Sequence, residues 1–393
     1  MSQSSGRQFL QLPGPTNLPD RILRAMDRPL IDHRGPDFAS MMHGLHEGLG
    51  GVFGASAGVM IFPSSATGCW ESALVNTLSP GDTVLLCDNG FFARKWGALA
   101  ERLGFDVRML DADWRRPIDA ASIAERLAED TSRRIRAALI VHNETSTGVT
   151  SDVSAVRAAI DDTGHDALFM VDSVSSLGAT EYRHDEWGVD VTVCGSQKGL
   201  MLPPGLGFCA VSEKALAAAE SARSPRAYWD WSAMREANAS GSFPFTPATG
   251  LLFGLVESLA MLDQEGDAVF RRHARFAEAT RRAAGAWGLE NYCVDPAGYS
   301  NSGTTLMMPG QSGADAFRAT CLGRFDLVLG GGLGPLRDQV FRIGHLGDFN
   351  SLMLAGTLSG VEMGLRATGA EVSAGGVQAA LDYLLDTSGD PAP

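Results

Sequence analysis

The chain has 393 residues, of which 45% are hydrophobic and 20% charged, and its 46 glycines follow no period. This composition is typical of a soluble globular protein and excludes the collagen-like, disordered and coiled-coil classes. The length predicts one large domain with a smaller one. The net charge of −14, from 32 basic and 46 acidic residues, argues against nucleic acid or an anionic membrane as a partner. The negative net charge is compatible with a local basic pocket that binds a small anion.

The cysteine pattern and the N-terminus bear on the compartment. Six cysteines lie far apart in mostly apolar runs, with no CxxC pair and no metal-ligand spacing. They predict reduced core residues and no metal site. The N-terminus lacks a signal-peptide pattern, and no apolar run reaches the length of a membrane span. We therefore expect a cytoplasmic protein.

Two stretches near the N-terminus contain possible site residues. Residues 12–26 (LPGPTNLPDRILRAM) combine an extended Pro/Gly segment with the start of a short helix. Residues 31–38 (IDHRGPDF) predict a polar loop between two helical stretches. Its His33 and Arg34 are either part of a solvated connector or the lining of a neighbouring site.

Residues 59–78 predict a strand (VMIF), a turn (PSSATG) and a helix (CWESALVNTL). Free backbone N–H groups at such a helix start form an anion site that suits a phosphate. The turn lacks the Walker lysine and the GxGxxG spacing, so it is neither a nucleotide P-loop nor a dinucleotide fingerprint. An ordinary helix cap is the alternative interpretation.

Strands and helices then alternate along the chain. Strands are predicted at 83–87, 105–110, 136–141, 167–172, 189–194 and 207–212, and helices at 94–103, 119–129 and 152–161. This alternation predicts an α/β domain with a largely parallel sheet. Ligands of such sheets collect at the carboxyl ends of the strands.

Candidate site residues follow three of these strands. The loop at 142–149 (HNETSTGV) is rich in hydroxyl and amide groups. Asp172 ends an apolar strand, where a buried carboxylate needs a partner: a helix N-terminus, a structural arginine or a protonated heterocyclic nitrogen. Lys198 follows another strand on a loop of small residues. It is either a solvated surface lysine or, in a dry site, a neutral amine that attacks carbonyl carbon.

The pattern changes after about Glu265 to an Arg/Ala-rich helix at 270–287 and then to short strands and helices. We expect an N-terminal arm over residues 1–19, a large domain over 20–264 and a small α+β domain over 265–393. In the small domain, VFRIGHLG at 340–347 predicts a strand that places Arg342 beside a loop with a glycine at each end. An arginine can grip a carboxylate through two parallel hydrogen bonds, or it can form a structural ion pair.

These motifs are specific in combination. The N-terminal PGPTN, the SSATG turn, the strand-end Asp172 and the sequence SQKG around Lys198, with PPG after it, resemble the class V, fold-type I pyridoxal-phosphate aminotransferases. The sequence is most similar to the serine–glyoxylate and alanine–glyoxylate aminotransferase family, from Pro13 to Gly347. The resemblance implies a mostly parallel, seven-stranded-type sheet, a smaller C-terminal domain, pyridoxal 5′-phosphate as cofactor and a homodimer with shared active sites.

The resemblance also implies residue roles. Lys198 would bind the cofactor covalently and move the proton at the substrate's Cα, and Asp172 would pair with the pyridinium nitrogen. Phe92 would cover the ring, although Phe91 is close enough to leave that choice open. The other implied cofactor contacts are Ser65, Ala66, Thr67, Gln197 and, across the dimer, Thr246 for the phosphate, and Thr145 for the ring's 3′ oxygen.

The implied reaction is a ping-pong transamination. A small L-amino acid, with L-serine as the first expectation, would give its amino group to glyoxylate, which yields hydroxypyruvate and glycine. Arg342 would hold the α-carboxylate in both half-reactions. Relatives with similar motifs prefer alanine or aspartate instead, and aspartate would need a second cation, for which Arg34 and His33 of the other subunit are the candidates.

Two further classes fit the sequence less well. A C–S lyase of the desulfurase kind shares the fold, but it commonly has His directly before the lysine and a cysteine on a mobile loop. Here Gln197 precedes the lysine, and Cys321 lies in a segment with a helical pattern. Cofactor-binding regulators without catalytic activity usually carry a DNA-binding module, and this sequence has no basic helix-turn-helix pattern.

Overall fold

The structure is a computed structural model that describes residues 6–310 and 313–387. Parts of the predicted arm (1–19) and of the predicted small domain (265–393) therefore lie outside the described residues. The strands are β1 Phe9–Gln11, β2 Val59–Phe62, β3 Thr83–Asp88, β4 Asp106–Asp111, β5 Ile135–Val141, β6 Asn143–Glu144, β7 Val149–Thr150, β8 Leu168–Asp172, β9 Val191–Gly195, β10 Gly207–Val211, β11 Gly303–Met307, β12 Leu327–Gly331 and β13 Val340–Gly344. The helices are α1 Asp20–Met26, α2 Pro36–Phe53, α3 Ala66–Thr77, α4 Phe91–Arg102, α5 Ala120–Glu129, α6 Val153–Asp162, α7 Glu213–Ser221, α8 Trp231–Ala239, α9 Thr249–Glu265, α10 Ala268–Trp287, α11 Ala314–Phe325, α12 Ser351–Ala367 and α13 Gly376–Asp386.

The larger sheet, within the residues described, has seven strands in the order β2-β10-β9-β8-β5-β3-β4. Strand β10 is antiparallel to both of its neighbours, and the other pairs are parallel. Apolar clusters lie on both faces, one involving α2 and α9 and the other α3 and α4. The central strands are buried on both sides, which explains why they read as continuous apolar runs. The predicted α/β class with a largely parallel sheet is confirmed.

A smaller four-stranded sheet has the order β1-β12-β13-β11. Its first strand comes from the N-terminus and pairs in parallel with β12, while the other three come from the C-terminal part. Helices α10 to α13 contribute the apolar core of this unit. The smaller C-terminal domain is therefore present, and the N-terminal segment is part of its sheet. No helix in the described ranges is long and apolar enough to cross a membrane.

Helix α4 begins earlier than the sequence predicted, at Phe91 instead of residue 94. Its N-cap, Gly90, has no side chain to satisfy the first N–H groups. The carboxylate of Glu144 does so from another part of the chain, accepting the N–H groups of Phe92 at 2.9 Å and Ala93 at 3.3 Å. A cap that comes from a distant residue leaves no local signal in the sequence.

The loop that carries Lys198 packs backbone against backbone. A Cβ placed on Gly199 would lie 2.0 Å from the carbonyl oxygen of Leu177 and 3.0 Å from the Cα of Gly178. Gly178 itself has a φ of +77°, which favours glycine. Glycine at 199 is therefore required by the close approach of two loops, and this approach fixes the base of the lysine loop.

We predict that Gly199→Ala lowers the free energy of unfolding by about 1–3 kcal/mol, because the added methyl group must displace backbone atoms. Urea unfolding of the cofactor-free protein measures the change. The control is Gly285→Ala in α10, where a Cβ meets nothing within 4 Å; it should raise stability by about 0.5–1 kcal/mol. Equal stabilities for wild type and Gly199→Ala would contradict the packing argument.

Candidate active site

A cavity of about 240 Å³ lies at the carboxyl ends of β5 and β8, next to the N-terminus of α3. It is lined by side chains and backbone from six parts of the chain: Gly14, Pro15, Ser65, Ala66, Thr67, Trp70, Phe92, Val141, Asn143, Thr145, Asp172, Val174, Ser175, Gln197 and Lys198. Parallel strands bring their carboxyl ends to one edge of the sheet, so residues far apart in sequence meet here. Most of the site residues predicted from the sequence lie in this one cavity.

Lys198 is buried, and its Nζ donates a hydrogen bond of 2.5 Å to the carbonyl oxygen of Pro13. Gly14 lies directly on the side chain: a Cβ at that position would be 2.3–2.7 Å from the last three atoms of the lysine. Burial, with a smaller contribution from the positive charge of Arg342, lowers the pKa of Lys198 to about 8, and the negative charge of Asp172 acts in the opposite direction. A substantial fraction of the amine is therefore neutral near neutral pH.

The chain contains only three lysines, which are Lys95, Lys198 and Lys214. Lys95 is exposed on α4. Lys214 donates to the carbonyl of Ala167 and forms an ion pair with Asp190. Lys198 is therefore the lysine whose amine can have a covalent role in this cavity.

Asp172 ends β8 with both carboxylate oxygens engaged. Its Oδ1 accepts the backbone N–H of Val174 at 2.8 Å, and its Oδ2 accepts the indole N–H of Trp70 at 2.8 Å. Burial raises the pKa of Asp172 to about 7, while these two hydrogen bonds favour the ionised form. Because Asp172 is buried and faces the cavity, a positively charged nitrogen there would stabilise its ionised form better than water would.

The start of α3 forms another part of the cavity lining. Ser65 is the N-cap, but its side chain makes no capping hydrogen bond to the first turn around Ala66 and Thr67. Gln197 lies beside Ala66 across Gly195, and its buried Oε1 has no hydrogen-bond partner among the residues described. The free N–H groups of an uncapped helix start suit a phosphate group. Only the NH₂ of the Gln197 amide could add a donor to them, because Oε1 is an acceptor.

Phe92 and Thr145 also line the cavity. The neighbouring Phe91 lies edge-on to Phe92, with 5.5 Å between the ring centroids, and packs against Gly334 of the smaller unit. The structure thus places Phe92 on the cavity and Phe91 beside it. The roles assigned to Phe92 and Thr145 towards a cofactor stay predictions.

Arg342 lies on β13, next to the cavity residues. Its Nε donates to the carbonyl of Gly331 at 2.8 Å, and its Nη1 donates to the carbonyl of Thr145 at 2.9 Å. Burial lowers the pKa of Arg342 to about 10, and the charge of Glu144 opposes this shift. The guanidinium has no ion-pair partner in the part of the chain that the structure describes. A buried cation held only by carbonyl groups suits an incoming carboxylate.

Three predicted site residues lie outside this cavity. Arg34 is exposed in the loop before α2, and His33 is half-buried there with no partner for its Nε2 among the described residues. Thr246 is exposed in the loop before α9. Each was predicted to act in the site of a second copy, so their placement in one chain leaves those roles as predictions.

Three residues at or beside the site were not predicted from the sequence. Trp70 was taken only as part of a helix pattern, yet its indole reaches Asp172. Asn143 donates to Ser302 at 2.7 Å and lines the cavity. Glu144 is fully buried, and burial raises its pKa despite four donors. A lone carboxylate in a loop after a buried strand was the available signal for Glu144, whereas nothing local could have pointed to Trp70.

Metal ligands are not part of this arrangement. Across residues 6–310 and 313–387, no group of three or more His, Cys, Asp or Glu side chains could hold a metal ion. The six cysteines are free and buried. The cavity therefore offers an amine, a carboxylate and anion-binding groups.

Comparisons with known proteins agree with this chemistry. The sequence model of the family "Aminotransferase class-V" matches residues 9–288. Over 389 residues the chain is 47% identical to the serine–glyoxylate aminotransferase of Methylorubrum extorquens, with 96% of each chain covered. It is 43% identical over 380 residues to the L-aspartate–glyoxylate aminotransferase of Paracoccus denitrificans, again with 96% of each covered.

A solved structure shows the same architecture. The ureidoglycine–glyoxylate aminotransferase of Bacillus subtilis superposes with a TM-score of 0.90 at 27% identity, covering 98% of this chain and 100% of the other. The resemblance inferred from the sequence motifs is thereby confirmed, as is the fold-type I architecture. The chain belongs to the class-V aminotransferase family and is a transaminase.

Proposed function

We propose that the protein transfers the amino group of a small L-amino acid, L-serine, to glyoxylate with the help of pyridoxal 5′-phosphate. L-serine loses its amino group and becomes hydroxypyruvate, and glyoxylate gains it and becomes glycine. The observation that carries the proposal is one cavity with a buried amine at Lys198 and a buried carboxylate at Asp172. Beside it lies the cation of Arg342, which has no ion-pair partner within the described residues. The serine–glyoxylate and aspartate–glyoxylate relatives support glyoxylate as the acceptor.

The residues present fit pyridoxal phosphate. The uncapped start of α3 and the side-chain NH₂ of Gln197 suit its phosphate, and Asp172, in the same cavity lining, suits its ring nitrogen. Lys198 lines the same cavity, and its amine would bond to the aldehyde carbon. When bound, the group supplies an electron sink for the pair of electrons left behind as the substrate's Cα proton departs.

Ser65, Ala66, Thr67 and Gln197 bind the phosphate in this proposal, and Thr145 binds the 3′ oxygen of the ring. Their support is shared placement: all five line the cavity, and the dipole of α3 favours negative charge at its start. Phe92 covers one face of the ring and excludes water from it.

Lys198 is the proton carrier. Its Nζ would hold the cofactor between turnovers. With substrate bound, the neutral amine would accept the proton from the substrate's Cα and return a proton to complete the transfer. The lowered pKa suits this task, because an amine with a pKa near the working pH both accepts and donates readily.

Arg342 orients both substrates. L-serine and glyoxylate share a carboxylate next to the reacting carbon, so one guanidinium can serve both half-reactions. Its two hydrogen bonds to the carbonyls of Gly331 and Thr145 fix the plane of the group. Glyoxylate carries little besides the carboxylate and the aldehyde, and it needs no further contact.

We infer a homodimer from the predicted site residues that lie outside the chain's own cavity. Thr246 and Arg34 are exposed in loops outside the chain's own cavity, and His33 has an unpartnered ring nitrogen within the described part of the chain. In a second copy, Thr246 reaches the phosphate. Each site is then incomplete without the neighbouring subunit.

The alternative donors are L-aspartate and L-alanine. The 43% identical aspartate–glyoxylate relative keeps aspartate under consideration. Its side-chain carboxylate needs a second cation, and Arg34 is an exposed arginine for which the structure shows no ion pair within the described residues. Alanine needs no such cation and differs from serine only by the hydroxyl group.

A panel of donors with glyoxylate tests the proposal. We predict that L-serine gives the highest kcat/KM and that Lys198→Ala lowers the rate of glycine formation by about 10²- to 10⁴-fold, since the proton carrier is lost. Lys95→Ala, which removes an exposed amine on α4, should behave as wild type. Sustained glycine formation by Lys198→Ala would overturn the central assignment, and a preference for aspartate would favour that alternative.

The pH dependence of cofactor capture follows from the amine. Only neutral Nζ attacks an aldehyde, so the rate at which cofactor-free protein takes up pyridoxal phosphate should rise with pH through about 8. Arg342 lowers the pKa of Lys198, so Arg342→Gln should raise that pKa and move the midpoint to higher pH. Stopped-flow absorbance measures the rate. A midpoint that Arg342→Gln moves to lower pH would contradict the electrostatic argument.

Arg342→Lys keeps the charge and removes the planar pair of donors. We predict that it raises KM for both L-serine and glyoxylate by about tenfold, because bidentate recognition is lost. Arg337→Lys, an exposed position on the preceding segment, is the matched control. Steady-state kinetics with each substrate varied in turn gives both constants, and a change confined to one substrate would argue against a shared carboxylate site.

A further inference from the structure

Trp70 connects α3 to the acid of the site. Its side chain is buried and lines the cavity, and its Nε1 donates a 2.8 Å hydrogen bond to Oδ2 of Asp172. The other carboxylate oxygen accepts the backbone N–H of Val174. Trp70 is therefore the side chain that holds this carboxylate in the described structure.

The direction of this N–H is fixed by a second tryptophan. The rings of Trp70 and Trp96 stack with centroids 5.8 Å apart and planes 13° from parallel. Trp96 is also fully buried, but its Nε1 has no hydrogen-bond partner among the described residues. Of two stacked indoles, one therefore donates to the site and the other only packs.

The carboxylate needs this donor because its surroundings oppose its charge. Asp172 is almost completely buried, and the nearby negative charge of Glu144 also disfavours ionisation. A hydrogen bond from a neutral donor stabilises the ionised form without bringing a competing positive charge into the cavity. A salt bridge to a protein cation would occupy the carboxylate, whereas an indole N–H leaves it free to bind another cation.

We propose that Trp70 is a positioning residue that keeps Asp172 ionised and oriented towards the ring nitrogen of the cofactor. The inference rests on the proposed function only in taking pyridoxal phosphate as the ligand. It assigns to α3 a second task, because the same helix offers its N-terminus to the phosphate and its second turn to the acid. Helix α3 thus positions the binding groups for both ends of the ligand relative to each other.

The test compares Trp70→Phe with Trp96→Phe in cofactor-free protein. Both changes remove an indole from the same buried stack, but only the first removes a hydrogen bond to Asp172. The probes are pyridoxal phosphate and its analogue with carbon in place of the ring nitrogen, measured by equilibrium dialysis. No amino donor is present, so the result does not depend on which substrate the enzyme prefers.

We expect Trp70→Phe to weaken binding of pyridoxal phosphate by about tenfold, the size of one hydrogen bond to a buried charged group, and to leave binding of the carbon analogue within about twofold. Trp96→Phe should change both affinities equally. In an Asp172→Asn background, Trp70→Phe should have no further effect. Equal weakening of both probes by Trp70→Phe would reduce Trp70 to a packing role and overturn the proposal.

A measurement on the wild type guards against a variant that does not fold. In the wild type, the indole N–H of Trp70 should show a shift in its ¹⁵N–¹H NMR resonance when pyridoxal phosphate is added, while that of Trp96 stays in place. Unchanged resonances for Trp70 would overturn the proposal. Absence of any pyridoxal phosphate binding by the wild type would instead remove the proposed function itself, and this inference with it.

Discussion

The site depends on burying two opposite charges at the edge of one sheet. Asp172 ends β8 and Lys198 follows β9, and burial disfavours both ionised forms. The pKa of the acid rises to about 7 and that of the amine falls to about 8. Burial thus makes each charge depend on the groups around it: two hydrogen bonds favour the ionised form of Asp172, and the charge of Arg342 favours the neutral form of Lys198.

The loop between β5 and β7 joins the parts of the site that come from different units. Glu144 caps α4 and so places Phe92, and the carbonyl of the next residue, Thr145, accepts a hydrogen bond from Arg342 of the smaller unit. Glu144 also opposes the loss of charge on Arg342. The buried carboxylate thus supports the positions of an aromatic face and a cation without itself lining the cavity. The donors around Glu144 offset only part of the cost of its burial, and its pKa stays raised.

The fold and much of the cavity could be predicted from the sequence because their signals are local. Apolar runs gave the strands, and strand-end residues such as Asp172 and Lys198 had to meet at one edge of a parallel sheet. Trp70 could not be predicted, since its contact with Asp172 depends on how α3 packs against the sheet. The start of α4 was misplaced for a similar reason: its cap, Glu144, comes from a loop far along the chain. Residues that were predicted to act in the site of a second subunit could not be judged either. The structure of one chain does not contain the groups that they were predicted to contact.

The N-terminal segment belongs to the small sheet through β1, yet a few residues later it lies against the amine of Lys198. Pro13 accepts the hydrogen bond of Lys198, Gly14 packs against its side chain, and the N–H of Thr16 donates to the carbonyl of Gln197. The same sheet carries Arg342 on β13. The small sheet therefore sets both the surroundings of the lysine amine and the position of the arginine. The N-terminal segment is the part of the chain that connects the two.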